Sequence, residues 1–381
     1  MYIANVLITR HASIDVTAQW ATLNAFMMVG GTFALFGFDQ QLVREPKAAK
    51  LIAKTSVFNI LIVAIFAGLV GQYLEYTPSA IVGACVVIGF AASAMSFQWW
   101  RSNLKMTAAY LSNGTWRLTF LAGVALLFVP KSVPLSSLLI GAFIIGFIFI
   151  GLLFWRVKPT ITLTSIHNDI KSVKDIYFVG SSYFMAGLSL AIASYAESLV
   201  VRTLGEPADV ALYFTSIILF LFPGVMFNQY VAAVVGPALR QDEARAIHLL
   251  RRYRTLLIVA LFAIWPMLVA GGFLLGTLIY GSVQTPLVLA ALLSLTSCVR
   301  LIYIIPSNFV GIIANKKQLR EISALFLLFA LMFPFMSWGF TKAGLAVIFA
   351  VAIANLINWT LRTLVGLSIV KQRFALHPSQ T

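Results

Sequence analysis

The sequence predicts an all-α polytopic membrane protein with about twelve transmembrane helices, and three observations support that prediction. Hydrophobic residues make up 60% of the 381-residue chain and charged residues only 10%, whereas a soluble protein needs a more strongly charged surface. Long apolar runs of the length that a membrane helix needs are separated by short hydrophilic gaps. Within these runs apolar and polar residues do not alternate, which disfavours the strands of a membrane barrel. Helices are favoured because they satisfy their own backbone hydrogen bonds in lipid.

In chain order, the apolar runs predict eleven complete spans and one incomplete span. A helix crosses a hydrocarbon core of about 30 Å with about 20 apolar residues. Runs of that length occupy residues 14–38, 52–74, 79–100, 114–130, 136–155, 177–200, 210–235, 255–280, 286–312, 321–340 and 345–368. A further apolar run at residues 1–9 is too short to span, so the first helix is expected to be truncated.

The basic residues predict an orientation. Of the 27 Lys and Arg residues, 21 lie in alternate gaps and in the C-terminal tail, and Arg117 is assigned to one of these gaps. By the positive-inside rule these gaps and the C-terminus are cytoplasmic. The net charge of +15 is spread over several loops facing anionic lipids, so no nucleic-acid partner is expected.

No cofactor, metal site or disulfide is predicted. Cys85 and Cys298 lie inside apolar runs, where cysteine usually acts as a small packing residue. The four histidines lie in separate loops without the spacing of metal ligands.

The predicted organisation is two halves joined by a linker. We expect an N-terminal bundle at residues 1–157 with an incomplete first helix, a cytoplasmic amphipathic linker at 158–176, and a C-terminal bundle at 177–381.

A weak internal repeat supports this division. Tyr2–Asp15 echoes Tyr195–Asp209, and Gly30 and Gly224 follow at the same offset, since 224 − 30 = 209 − 15 = 194. Six helices per half, an even number, would relate the halves by an axis along the membrane normal.

Two segments carry a family resemblance. Tyr195–Asp242 ends one helix in Glu-Ser-Leu-Val-Val-Arg, turns through Gly-Glu-Pro-Ala-Asp, and leaves the next helix through Gly-Pro-Ala-Leu-Arg. Gly37–Glu45 has the sequence Gly-Phe-Asp-Gln-Gln-Leu-Val-Arg-Glu after the second helix. On these residues the chain resembles the polysaccharide and O-antigen flippases of the multidrug/oligosaccharidyl-lipid/polysaccharide exporter superfamily. The resemblance implies two pseudo-repeated six-helix bundles around a central cavity that moves an isoprenoid-diphosphate-linked glycan.

Arginines within predicted spans are the main candidates for cargo binding, because a charge at membrane depth costs about 2.5–3.5 kcal/mol on insertion scales and marks functional sites. Arg300 shares a helix face with Tyr303, and Arg362 shares one with Asn355 and Asn358. For Arg300 the alternative is bonding to backbone carbonyls near a proline break, and for Arg362 it is snorkelling toward the headgroups.

The end of the seventh span holds a candidate acid and base. Glu197 is the candidate coupling residue because a buried carboxylate can carry a proton, and Arg202 is a further cavity candidate. A structural ion pair of Glu197 with Arg202 or Arg300 is the alternative. Asp15 and Asp209 are expected to cap their helices.

These features predict a transporter and not an enzyme. It would flip a lipid-linked oligosaccharide to the outer leaflet for surface polysaccharide or O-antigen (lipopolysaccharide) biosynthesis, with membrane lipids and polysaccharide assembly proteins as partners. Drug or metabolite efflux on the same fold is the alternative, although the chain has only 12 acidic residues to attract cations. A glycan polymerase or acyltransferase is less favoured because the predicted outer loops are short and no histidine lies in a span.

Overall fold

The structure is a computed structural model that describes the chain except for residues 46–47, 104, 132, 158–171, 228–254, 256–257, 314–315 and 377–381. All regular elements in the described part are helices, which confirms the predicted fold class. Nine of the described helices are long and apolar enough to cross a membrane. The helix at Ile14–Leu35 is also long enough, but buried polar residues such as Thr22 and Asn24 make it less apolar.

The chain divides into two compact units, Met1–Leu199 (unit 1) and Val200–Thr381 (unit 2). The helices that begin in unit 1 are α1 (Tyr2–His11), α2 (Ile14–Leu35), α3 (Phe38–Arg44), α4 (Ala49–Tyr73), α5 (Ala80–Ser102), α6 (Met106–Gly123), α7 (Val129–Lys131), α8 (Leu135–Arg156), α9 (Val173–Tyr195) and α10 (Glu197–Leu204). A π-helical turn at Val124–Phe128 joins α6 to α7.

In unit 1, α5 is the central helix and contacts α2, α3, α4, α6 and α8. Small residues allow the closest of these approaches, since a Cβ atom on Gly83 would lie 3.0 Å from the Cα atom of Gly68 on α4. Trp20 of α2 stacks on Phe120 of α6 with centroids 4.8 Å apart and donates to Asn5 Oδ1 at 3.0 Å. Trp20 therefore holds the short helix α1 to the rest of unit 1.

Helix α9 packs on α2, α3 and α4 and so belongs to unit 1. Gly37, between α2 and α3, has φ +75°, and a Cβ there would lie 2.8 Å from the Gly180 carbonyl oxygen. Gln41 Nε2 donates to the Ile176 carbonyl at 2.7 Å. By these contacts the boundary between units falls at Leu199, whereas the sequence division placed residues 177–199 in the second bundle.

Unit 2 contains α11 (Pro207–Ser216), α12 (Trp265–Tyr280), α13 (Leu287–Ile313), α14 (Lys316–Lys342) and α15 (Val347–Leu376), with π-helical turns at Ile217–Leu221 and Ala260–Ile264. Helix α15 packs along α13 and α14, and α13 also contacts α11 and α12. Gly366 permits the α13–α15 approach, since a Cβ there would lie 3.0 Å from Pro306 Cβ. Helices α13, α14 and α15 contain the residues of the candidate site.

The repeated segments form matching local structures. In each copy a short helix, α1 or α10, is followed after a brief turn by a longer one, α2 or α11. Asp209 accepts from the Glu206 amide at 3.1 Å and so helps to cap α11, as expected. The predicted cap at Asp15 is wrong, because Ser13 is the N-cap residue of α2 and its hydroxyl accepts from the Val16 amide.

One span boundary was also misplaced. The predicted span at 114–130 begins in the structure at Met106. Arg117, which was assigned to a hydrophilic gap, lies inside α6. Most of the predicted linker at 158–176 lies outside the described residues, and its last residues form the first turn of α9, capped by Ser172.

Candidate functional site

Arg362 is the centre of a polar cluster inside unit 2. Its side chain is only 1% exposed although it lies in the middle of an apolar helix, α15. The Nε atom donates to Asn358 Oδ1 at 3.0 Å, and an Nη atom donates to the Phe326 carbonyl oxygen of α14 at 2.8 Å. The guanidinium also lies 5.3 Å from the Phe326 ring centroid. Arg362 is thus held by neutral acceptors on two helices and neither snorkels nor stands open.

Trp359 connects Arg362 to the second arginine of the cluster. The Trp359 ring is 2% exposed, and its centroid lies 5.6 Å from Arg362 Cζ and 4.5 Å from Arg300 Cζ. Arg300 is half-buried and comes from α13. Both guanidinium groups therefore lie within cation–π distance of one indole ring.

The helices place these residues together through simple spacing. Asn355, Asn358 and Arg362 follow one another at intervals of three and four residues, so they share one face of α15. Arg300 and Tyr303 share a face of α13 in the same way. Arg300 lies thirteen residues into α13, and Arg362 lies fifteen into α15, which is roughly 20 Å along each helix.

Tyr303 completes the cluster. Its ring packs edge-on against Trp359 at 5.5 Å and against Phe326 at 5.9 Å. Its hydroxyl interacts with the Arg362 side chain. The arrangement presents fixed positive charge at membrane depth, supported by aromatic rings, and such a site attracts anions.

Most of the predicted site residues lie on α13 and α15 of unit 2. The structure brings Arg300, Tyr303, Asn358 and Arg362 together, and Asn355 is buried on the same face. Glu197 and Arg202 lie on a different helix, α10, where Glu197 is 1% exposed.

Two polar residues that precede Arg300 on α13 are hydrogen-bonded inside the protein. Thr296 and Ser297 are buried, and their hydroxyls donate to the carbonyl oxygens of Leu292 and Leu221.

Sequence reasoning missed two contributions. Phe326 accepts a hydrogen bond from Arg362 through its backbone carbonyl, and a pattern of side chains cannot predict such an acceptor. Arg117 was missed because it was counted with the loop residues although the predicted span at 114–130 contains it, and the structure places it well inside α6. Within the described part of the chain, no group of three or more His, Cys, Asp or Glu residues is arranged to hold a metal ion.

Comparisons with known proteins identify the fold. No family model matches the chain, and no curated protein gives a significant match. Solved structures do match over the whole chain. An inward-facing multidrug resistance MATE transporter of the MOP superfamily aligns with a TM-score of 0.72 and 13% identity, covering 100% of this chain and 95% of that one. The fold is that of the MATE and MurJ transporters.

The lipid II flippase MurJ, in an inward closed conformation, aligns with a TM-score of 0.64 and 17% identity, covering 97% of this chain and 84% of that one. A MATE structure in the bent conformation aligns with a TM-score of 0.60 and 16% identity over 98% and 91% of the two chains. At these identities the similarity establishes the architecture of a multi-pass membrane protein, and the chain's own residues must indicate the cargo.

Proposed function

We propose that this chain is a transporter that flips an isoprenoid-diphosphate-linked oligosaccharide across a bacterial inner membrane, for surface polysaccharide or O-antigen assembly. The observation that carries the proposal is the pair of arginines around Trp359 at membrane depth. A diphosphate loses its hydration as it enters a membrane protein, and nearby guanidinium groups offset that cost.

The composition of unit 2 supports an anionic cargo. Helices α12, α13 and α15 contain no Asp or Glu, and the single acid of α14, Glu321, is exposed near its first turn. A site for cationic drugs would instead place carboxylates at membrane depth. Arg300 is the proposed cargo contact because it is the half-buried member of the pair, and Arg362 is the proposed support that orients Trp359.

Charge reversal at Arg300 tests the proposal. In a strain whose own gene is deleted, Arg300→Glu should abolish restoration of surface glycan, while Arg300→Lys should restore part of it. Arg320→Glu, at an exposed position on α14, is the matched control and should restore normal levels. Normal surface glycan with Arg300→Glu at wild-type protein levels would rule out the electropositive-site mechanism.

Drug efflux is the second candidate, because the multidrug MATE transporter aligns with a higher TM-score than MurJ. A panel of cationic drugs distinguishes the two. Expression of the chain should leave drug sensitivity unchanged if the cargo is a lipid-linked glycan and should reduce it if the cargo is a drug.

The coupling residue and the membrane orientation are also proposals. We propose that Glu197 carries the coupling proton, with Arg202 one helical turn and a half away on α10. Glu197→Gln should slow glycan export without reducing the amount of folded protein.

We also propose a cytoplasmic C-terminus, which reporter fusions at that end test directly. Polysaccharide assembly proteins and membrane lipids are the expected partners.

A further inference from the structure

Arg117 is an arginine inside unit 1 that the proposed function does not use. It lies eleven residues after Met106, roughly 16 Å along α6, and three of the four residues that follow it are apolar (Leu118, Phe120 and Leu121). Neither α6 nor α1, which contacts it, contains an acidic residue. A charged side chain at this depth is costly unless something compensates it.

The protein provides little compensation for this guanidinium. Arg117 Cζ lies 5.4 Å from the ring centroid of its neighbour Trp116. Among the described residues, its Nε atom is buried and has no hydrogen-bond partner. The Tyr195 phenol at the end of α9 lies within electrostatic range, and a phenol is uncharged at neutral pH. A buried donor without an acceptor costs about 1–3 kcal/mol, more for a charged group.

There is also room beside Arg117. Gly114 lies one turn earlier on α6, and a Cβ atom added there would meet no other atom within 4 Å. In contrast, a Cβ atom on Gly146 of α8 would lie 3.0 Å from Trp116 Cβ, so the neighbouring face of α6 is tightly packed. The open side of the helix lies next to the arginine and the packed side lies next to the tryptophan.

We propose that Arg117 and Tyr195 form a binding subsite in unit 1 for the phosphate groups of an isoprenoid diphosphate. This inference rests on the proposed function and adds a separate cationic subsite in unit 1 to the two arginines of unit 2. The guanidinium fork matches phosphate oxygens in geometry and charge, and the Tyr195 hydroxyl is a second donor. A phosphate bound there supplies the acceptor that Nε lacks.

Binding to the purified full chain in lipid nanodiscs tests the subsite. The probe is farnesyl diphosphate, titrated by calorimetry, and farnesol is the neutral probe with the same tail. Arg117→Gln should weaken farnesyl diphosphate binding about tenfold and leave farnesol binding unchanged. Tyr195→Phe should weaken it by a smaller factor, and Arg117→Lys should retain part of the affinity. Arg101→Gln, an exposed arginine at the end of α5, is the matched control.

The outcomes separate this subsite from the proposed function. If the wild type binds farnesyl diphosphate and folded Arg117→Gln binds it equally well, the subsite is wrong and the flippase proposal stands. The subsite is also wrong if Arg300→Gln alone abolishes binding. If the wild type does not prefer farnesyl diphosphate over farnesol, both proposals fail. If binding depends on Arg117 but the wild type restores no surface glycan in cells, the subsite stands and the cargo assignment fails.

Discussion

Arg362 in unit 2 and Arg117 in unit 1 are both arginines inside an apolar helix, but their surroundings differ. Arg362 donates to Asn358 Oδ1 and to the Phe326 carbonyl, and it lies against two aromatic rings. Arg117 has a buried Nε atom without a described acceptor and lies near an open glycine. Membrane depth alone therefore does not show whether a charged residue is structural or functional. The acceptors around it decide whether the charge is structural or available to a ligand.

The strongest test of this comparison removes Arg362. Arg362→Leu leaves the Asn358 oxygen and the Phe326 carbonyl without their donor in a buried site. We expect a loss of about 2–4 kcal/mol in unfolding free energy, because each buried acceptor left without a donor costs about 1–3 kcal/mol. A large drop in the thermal midpoint of the purified protein in nanodiscs would be the signature. A midpoint equal to that of the wild type would show that Arg362 is not a structural residue.

A pair of glycine substitutions tests packing in the two regions. Gly366→Leu should force α15 away from Pro306 on α13 and cost about 1–3 kcal/mol, because overpacking strains a filled interface. Gly114→Leu is the matched change on α6, where a side chain meets open space. It should leave the thermal midpoint nearly unchanged and still weaken farnesyl diphosphate binding. Equal destabilisation by both substitutions would contradict the open space beside Arg117.

Trp359 links the two arginines of unit 2, and its replacement should have a moderate effect. Trp359→Leu removes the cation–π contact with Arg300 at 4.5 Å and should cost about 1–2 kcal/mol. Trp359→Phe keeps a weaker ring contact and should retain more stability and more glycan export. Both variants are compared in unfolding stability and in glycan export. If Trp359→Leu retains more of either than Trp359→Phe, the aromatic ring of Trp359 has no role in the site.

The smallest expected effect on stability is at Arg117. Arg117→Leu replaces a poorly compensated charge with an apolar side chain inside a membrane helix. Such replacements are often neutral or stabilising, so the unfolding free energy should stay within about 1 kcal/mol of the wild-type value or rise. The stabilities of Arg117→Leu and Arg362→Leu are measured under identical conditions. A comparable loss of stability in both would mean that Arg117 also has a structural acceptor.

Much of the fold was predictable because membrane helices carry a strong local signal. Nearly every long apolar run became a helix, and the intervals along α13 and α15 correctly grouped Arg300 with Tyr303 and Arg362 with Asn358. The start of α6 was misplaced because its first two turns contain the polar residues Ser112 and Asn113, which a search for apolar length excludes. Arg117 was overlooked for a separate reason, because it was counted among the basic residues of a loop although the predicted span at 114–130 contains it. The central cavity, the cargo and the cytoplasmic position of the C-terminus stay predictions.

The amino-acid sequence specifies the class of this protein, the positions of most of its long helices, and which residues share a helix face. Those properties follow from apolar length and from the fixed geometry of one helix. The tertiary structure adds three contacts that the sequence does not specify. Arg362 donates to the Phe326 carbonyl, Trp359 lies against both arginines, and α9 packs with unit 1. Each of these depends on contacts between helices far apart in the chain, and helical periodicity cannot specify which neighbour a face will meet.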